Sequence, residues 1–387
     1  KEAKEYFKSM QTVGYSSKTV QDRSAIDLAF NKTEADSRKE WILNATKNFK
    51  SLDYKQRVIS IEELINQELV LFSIQDNIRS LPSLVDGLKP SQRKILFACF
   101  KKNPTAKTEI KVSQLSGYVS EHSSYHHGEA SLMETIINMA QNFVGSNNMN
   151  LLHPSGQFGS RLLGGKDASS PRYIFTYLSE NINKLFDPVD SNLLDYLNDD
   201  GQSIEPRFYV PKLPLILING SQGIGTGFST SIPCFNPDDL KKELKQLVIN
   251  PSHEIAELKP WYRGFKGEIV KIDENKWLSI GVYSINNYTV TVTELPIGTW
   301  TEDYKQFLDK LEQEDKIHSY KNNSTEEDVN FEIKVKACVL QEWNKSIEKN
   351  LKLTSNINAQ NMHMFNENGE IVKMHSVEEI LWNFYKI

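Results

Sequence analysis

An arginine stands directly beside a tyrosine at Pro171-Arg172-Tyr173. A phenol has a pKa of about 10 and is a weak nucleophile at neutral pH. A neighbouring guanidinium favours the phenolate form and stabilises charge that builds on a phosphate under attack. The pair could therefore carry out nucleophilic substitution at phosphorus. Spacing alone does not separate Tyr173 from structural tyrosines, since the chain has 15 of them.

A second polar cluster lies upstream at Tyr125-His126-His127-Gly128-Glu129. Adjacent helical residues point about 100° apart, whereas zinc-binding pairs sit at i and i+4, so this is not read as a metal site. Beside a phosphate, a histidine can donate a hydrogen bond or act as general acid or base. For His126, a core histidine with satisfied ring nitrogens is an equal reading. Between the clusters runs a loop with Gly156, Gly159, Gly164, Gly165 and Lys166. It lacks the Gly-Lys-Ser/Thr ending of a nucleotide loop. Its glycines could instead bring backbone amides and Lys166 close to a phosphodiester.

Such groups need a scaffold. Residues 3–10 read as a short amphipathic helix, 12–24 as a polar, mobile stretch and 34–47 as a second helix. Residues 61–72 carry apolar side chains at helical spacing, Pro82 breaks the chain, and Pro90 opens a helix. Its buried stripe is Ile95, Leu96, Cys99 and Phe100. Helices are expected over 112–121 and 131–144, the latter turning Leu132, Met133, Ile136, Ile137, Ala140 and Phe143 inward. This succession suits a helix-turn-helix reader of DNA and equally a small helical bundle. After Asp200 the pattern becomes strand-rich, with strand-like runs in 208–218 and strands over 267–272, 277–285 and 288–294. Asn286-Asn287 reads as a hairpin turn, and a charged helix follows at 302–315. A boundary falls near 205, with an α+β domain after it.

The 387 residues suggest two or three domains. Hydrophobic residues at 39% and charged ones at 25% describe a folded chain, with no apolar run near the length of a membrane span. The charged start, Lys1-Glu2-Ala3-Lys4-Glu5, is no secretory signal, and its lack of Met is read as marking a piece of a longer protein. Three scattered cysteines (Cys99, Cys234, Cys338) exclude a disulfide scaffold and a cysteine zinc site and fit a reducing compartment. The net charge of −5 hides segregation. Residues 79–111 hold eight basic side chains, Lys107 among them, against two acids, while 302–328 hold nine acids against four lysines. A basic face on an acidic protein is compatible with a DNA enzyme, and also with two solvated helices of opposite charge.

Several motifs together resemble eukaryotic-type DNA topoisomerase II: Tyr125-His-His-Gly-Glu, Ala140-Gln-Asn-Phe-Val-Gly-Ser-Asn-Asn, Gly164-Gly-Lys-Asp, Pro171-Arg-Tyr-Ile-Phe-Thr and Asn219-Gly-Ser-Gln-Gly-Ile-Gly-Thr-Gly-Phe-Ser. Asp76-Asn-Ile-Arg-Ser and Asp86-Gly-Leu-Lys-Pro-Ser-Gln-Arg-Lys belong to the same pattern. The resemblance spans the chain and implies a DNA breakage-reunion core of α+β multidomain class. It divides into a helical lead-in (1–62), a winged-helix (helix-turn-helix) cleavage domain (63–205), a tower domain (206–377) and the start of a coiled coil (378–387). It makes Tyr173 the nucleophile that stays joined to a DNA 5′ end, with Arg172 and His127 against the scissile phosphate. It makes Arg38, Lys39, Lys89, Arg93, Tyr125, His126 and Lys166 DNA contacts, with Lys352 in a further contacting stretch at 352–361. Ile224, isolated in Gly223-Ile-Gly-Thr-Gly, becomes a wedge between base pairs; a tight turn with Ile224 in the core is the alternative.

The resemblance also implies double-stranded DNA as partner, a homodimer in the full-length protein, a nuclear location and no membrane. Mg²⁺ and ATP would serve the full-length enzyme from sites upstream of this chain, which shows no Asp-x-Asp cluster or nucleotide loop of its own. The piece alone is then expected to cut nothing. The competing function is a DNA-binding and bending scaffold without chemistry.

Overall fold

The computed structural model describes residues 2–10, 12–53, 55–102, 108–343 and 346–387; Lys107 of the basic run lies outside them. The fold is mixed α/β and divides into two compact units, residues 1–81 with 223–230, and residues 82–222 with 231–387.

In the first unit, α1 (Glu2–Lys8), α2 (Val20–Phe30) and α3 (Ala35–Lys47) precede a helical run. That run is α4 (Ile61–Leu64), a π-helical turn (Ile65–Leu69) and α5 (Val70–Ser80). Within the polar stretch 12–24, Gly14–Ser16 pairs in parallel with Val58–Ser60, and α2 begins. The start signal is a reciprocal cap in which Thr19 accepts from the Asp22 amide while the Asp22 carboxylate accepts from Thr19. Asp22 also accepts from the Glu62 amide at 3.0 Å. The Thr19 and Glu62 amides, ahead of the Thr19 hydroxyl, hold the Asp22 pKa down at about 2.

The second unit opens with α6 (Pro90–Lys102), α7 (Val112–Ser123) and α8 (Glu129–Ala140). They pack on a three-stranded antiparallel sheet in which Phe175–Leu178 lies between Ile110–Lys111 and Leu152–Ser155. Ile95, Leu96 and Cys99 of α6 and Leu132, Ile136 and Ala140 of α8 are buried, as their spacing predicts. Burial pushes the Cys99 thiol up to about 12. Short helices α9 (Ile182–Leu185) and α10 (Leu215–Ile218) come next. The strand-like reading of 208–218 is corrected by α10: all four of its residues are buried, so no amphipathic period marks the turn as helical.

Farther along, α11 (Pro237–Ile249) starts at an Asn236 cap. Strands Glu268–Asp273, Lys276–Ile280 and Thr354–Asn358 form one antiparallel sheet. Val282–Asn286, Thr289–Glu294, Phe331–Val335 and Ile317–Asn322 form another, covered by α12 (Thr301–Gln313). The expected hairpin turn is present, with Asn287 at φ +54°, and Val290 and Val292 alternate fully into the core. The chain continues through α13 (Ala337–Trp343) and α14 (Ile347–Asn350) to α15 (Val377–Lys386). No described helix is long and apolar enough to cross a membrane.

Candidate active site

Tyr173 lies in a turn that the fold pins from beneath. Its own amide donates to the Ser170 carbonyl at 2.9 Å. The first amides of α7 hold the flanking carbonyls, with Val112 N–H donating to Ile174 O at 3.0 Å and Ser113 N–H to Pro171 O at 3.1 Å. Ile174 is buried, and Gly156, at φ +109°, leaves the room it fills. One neighbour thus anchors the chain inward while the Tyr173 side chain stays 70% exposed. The Arg172 guanidinium carbon lies 5.7 Å from the Tyr173 ring centroid. An anion reaching the phenol oxygen would enter the field of that cation.

The histidine pair occupies the turn between α7 and α8. Ser124, at φ +48°, ends α7, and Gly128 leads into α8. Tyr125 is half-buried against the core, and its ring meets the exposed His127 edge-on at 5.6 Å. His126 is not a core histidine. Its side chain is 80% exposed, with Nε2 3.8 Å from an Asp199 carboxylate oxygen. The turns bearing His127 and Tyr173 flank opposite ends of α7, whose 12 residues rise about 18 Å. Ring contacts join His127 to Tyr125 and Arg172 to Tyr173.

The glycine loop is shaped by packing. A Cβ on Gly164 would run into the Trp300 indole, one on Gly165 into the Gln141 amide, and one on Gly159 into the Gly165 backbone. Gln141 Nε2 donates to Phe158 O at 2.9 Å, and Asp167 accepts from the Ser160 amide at 2.9 Å. Arg161 forms a buried ion pair with Glu294. The glycines therefore permit close approach between protein segments, and Lys166 projects outward from them, exposed. Arg161, Glu294 and Trp300 carry no local signal in the sequence because their partners lie more than a hundred residues away.

Lys89 and Arg93 share one motif and have opposite fates. The Arg93 guanidinium is buried and donates twice to Asp86, Nε at 2.7 Å and Nη2 at 2.9 Å. Asp86 is fully buried and also accepts from the amides of Leu88 and Tyr209. Arg93 thus commits Nε and Nη2 to a core ion pair, and its Nη1 makes none of these bonds. Lys89 is half-buried, donates to Gln222 O at 2.6 Å, and borders a cleft of about 680 Å³ with Gln92, Trp300 and Asn358. Burial draws its ammonium pKa downward. Lys352 is exposed, its ammonium 4.4 Å from the Phe307 ring centroid.

The remaining candidates belong to the first unit. Arg38 donates to the carbonyls of Leu28 at 3.0 Å and Asn31 at 2.7 Å, closing the C-terminal end of α2. Lys39 pairs with Asp36 at 2.7 Å. Both flank Gly227, whose missing side chain would touch Arg38 Cβ and the Lys39 amide. Gly227 belongs to the tip of the hairpin formed by Ser221–Ile224 and Ser229–Ile232. Asn77 Nδ2 donates to Thr226 O at 3.1 Å, and Thr226 Oγ1 donates to Asp76 at 3.0 Å. Phe228 is buried, yet Ile224 is 85% exposed. The core reading of Ile224 is overturned.

Among the described residues, no three His, Cys, Asp or Glu side chains converge to hold a metal. The family model for the A subunit of DNA gyrase/topoisomerase IV matches residues 79–387, and the C-terminal associated domain of TOPRIM matches residues 1–77. DNA topoisomerase 2 of Candida albicans is 43% identical over 393 residues, covering 100% of this chain and 27% of the relative. The mitochondrial DNA topoisomerase 2 of Dictyostelium discoideum is 46% identical over 395 residues, covering 100% and 30%. The Plasmodium falciparum topoisomerase II DNA-binding, cleavage and re-ligation domain superposes with a TM-score of 0.89 at 43% identity, over 100% of this chain and 53% of that one. The chain belongs to the type II DNA topoisomerase family that includes the gyrase and topoisomerase IV A subunits. It spans less than a third of the length of these two curated relatives.

Proposed function

We propose that this chain is the breakage-reunion part of an ATP-dependent type II DNA topoisomerase. The Tyr173 phenol oxygen attacks a backbone phosphorus and loses its proton; the bond from phosphorus to the 3′ oxygen breaks, and the 3′ hydroxyl leaves. The 5′ phosphate remains on Tyr173 until the 3′ hydroxyl reverses the step. Two copies in a homodimer cut both strands, a second duplex passes through, and the break is resealed. The observation that carries this reading is an exposed Tyr173 on a pinned turn with the Arg172 guanidinium over its ring.

In this reading Arg172 stabilises charge on the phosphate under attack, and His127 binds a phosphate of the same duplex. Lys89, Tyr125, His126, Lys166, Lys352, Arg38 and Lys39 hold the backbone, and Ile224 unstacks a base step. Residues 63–205 form the winged-helix cleavage domain, 206–377 the tower and 378–387 the start of the coiled coil, following a lead-in at 1–62. Mg²⁺ bound outside this chain supplies charge neutralisation, and ATP is hydrolysed elsewhere in the longer protein. The setting is the nucleus, in chromosome segregation.

Tyr173→Phe in the full-length protein removes only the nucleophilic oxygen. Duplex binding is expected to survive while the covalent protein–DNA adduct, trapped by denaturant, disappears. An adduct that persists in the variant overturns Tyr173 as nucleophile; a wild-type protein that bends DNA and never forms an adduct supports the scaffold.

A further inference from the structure

Helix α11 is apolar on two sides. Leu240 and Leu247 point into the core, as one face of an amphipathic helix should. A second stripe, Leu244 and Val248 at i and i+4, continues to Ile249; Val248 is 71% and Ile249 76% exposed. Beside this stripe lies a groove of about 620 Å³ whose wall includes Leu185 of α9 and Leu213. Its charged lining consists of Lys184, Lys212, Lys241 and Lys245, with no aspartate or glutamate. Asp187 reaches in only as far as its 3.2 Å pair with Lys212. Lys241 and Lys245 are exposed on α11 and enter no ion pair among the described residues. An apolar floor under four cations, on a chain of net charge −5, is a local reversal of sign.

We infer that this groove docks an acidic amphipathic helix of a partner protein. The apolar spacing of Leu244 and Val248 matches side chains one turn apart on a facing helix, and the lysine rim matches carboxylates flanking them. A duplex is a poorer fit, because its sugar-phosphate backbone would bring no apolar surface to the floor. The same chemistry leaves a basic helix excluded by like charge.

The test uses this chain and a fluorescein-labelled designed helix with Leu at i and i+4 and Glu around them, beside a second peptide with Lys in place of every Glu. Fluorescence anisotropy is expected to show binding of the acidic peptide alone, weakening with salt. Lys241→Glu with Lys245→Glu should weaken it about tenfold and admit the Lys peptide. Val248→Asp, at an exposed position, should abolish binding while circular dichroism stays unchanged. Equal binding of both peptides, indifference to Val248→Asp, or displacement of the acidic peptide by a short duplex at the same site would each overturn the proposal.

Discussion

Two turns of this chain hold one side chain out of the protein, and they do it by different means. The turn at 171–174 is fastened through its backbone to the first amides of α7, with buried Ile174 as the peg under Tyr173. The hairpin tip at 223–227 relies on glycines. A Cβ on Gly225 would run into Asn77 Oδ1, and the Asn77 amide holds the Thr226 carbonyl. Tyr173 carries a polar tip and a cation beside it, so its exposure costs little hydration. Ile224 has neither, and its apolar surface stands in water. A polar residue on a braced turn suits chemistry that needs placement. An apolar residue between glycines suits insertion, where the backbone must come close and burial is supplied by the target.

The largest effect should come from removing the cation at the first turn. In the full-length protein, Arg172→Ala is expected to slow cleavage by about 10²–10³ with little change in DNA affinity, since a donor aimed at developing charge acts on the transition state. Single-turnover cleavage and equilibrium binding, measured side by side, decide it. Equal losses in both would reduce Arg172 to a binding residue and erase the contrast between the turns.

Gly225→Ala probes the second turn. The added methyl meets Asn77, and the displacement should cost about 1–3 kcal/mol. Chemical denaturation reads this directly, and an unchanged midpoint would mean the tip is not held by close packing. Smaller still is Ile224→Ala, expected to alter stability by no more than about 0.5 kcal/mol because the side chain is exposed. The duplex bend reported by end-to-end energy transfer should nevertheless fall. A loss near the roughly 2–5 kcal/mol of a buried isoleucine, with the bend intact, would return Ile224 to the core.

Local signals are legible where residues act on near neighbours. Pro90, the stripe of Ile95, Leu96 and Cys99, the Thr-Val alternation at 289–293 and the Asn286-Asn287 turn all specify structure within a few residues. The motifs around His127 and Tyr173 likewise point to the family from residue order alone. The cap at Thr19 is hidden because Asp22 stands where the usual signature has Glu or Gln. The helical turn at 215–218 is hidden because full burial erases periodicity.

What the tertiary structure alone decided is which side chains remain available. Arg93 and Arg172 each sit in a basic or polar motif, yet Arg93 faces buried Asp86 and Arg172 lies exposed beside a phenol. Gly164 and Gly165 look alike in the sequence to glycines that open a backbone to phosphate, and here they admit Trp300 and Gln141. Residue type and order determined the chemistry that could occur. Exposure and pairing also depend on residues brought in from a hundred or more positions away, as Tyr209 is to Asp86 and Trp300 to Gly164, and only the folded chain sets those distances.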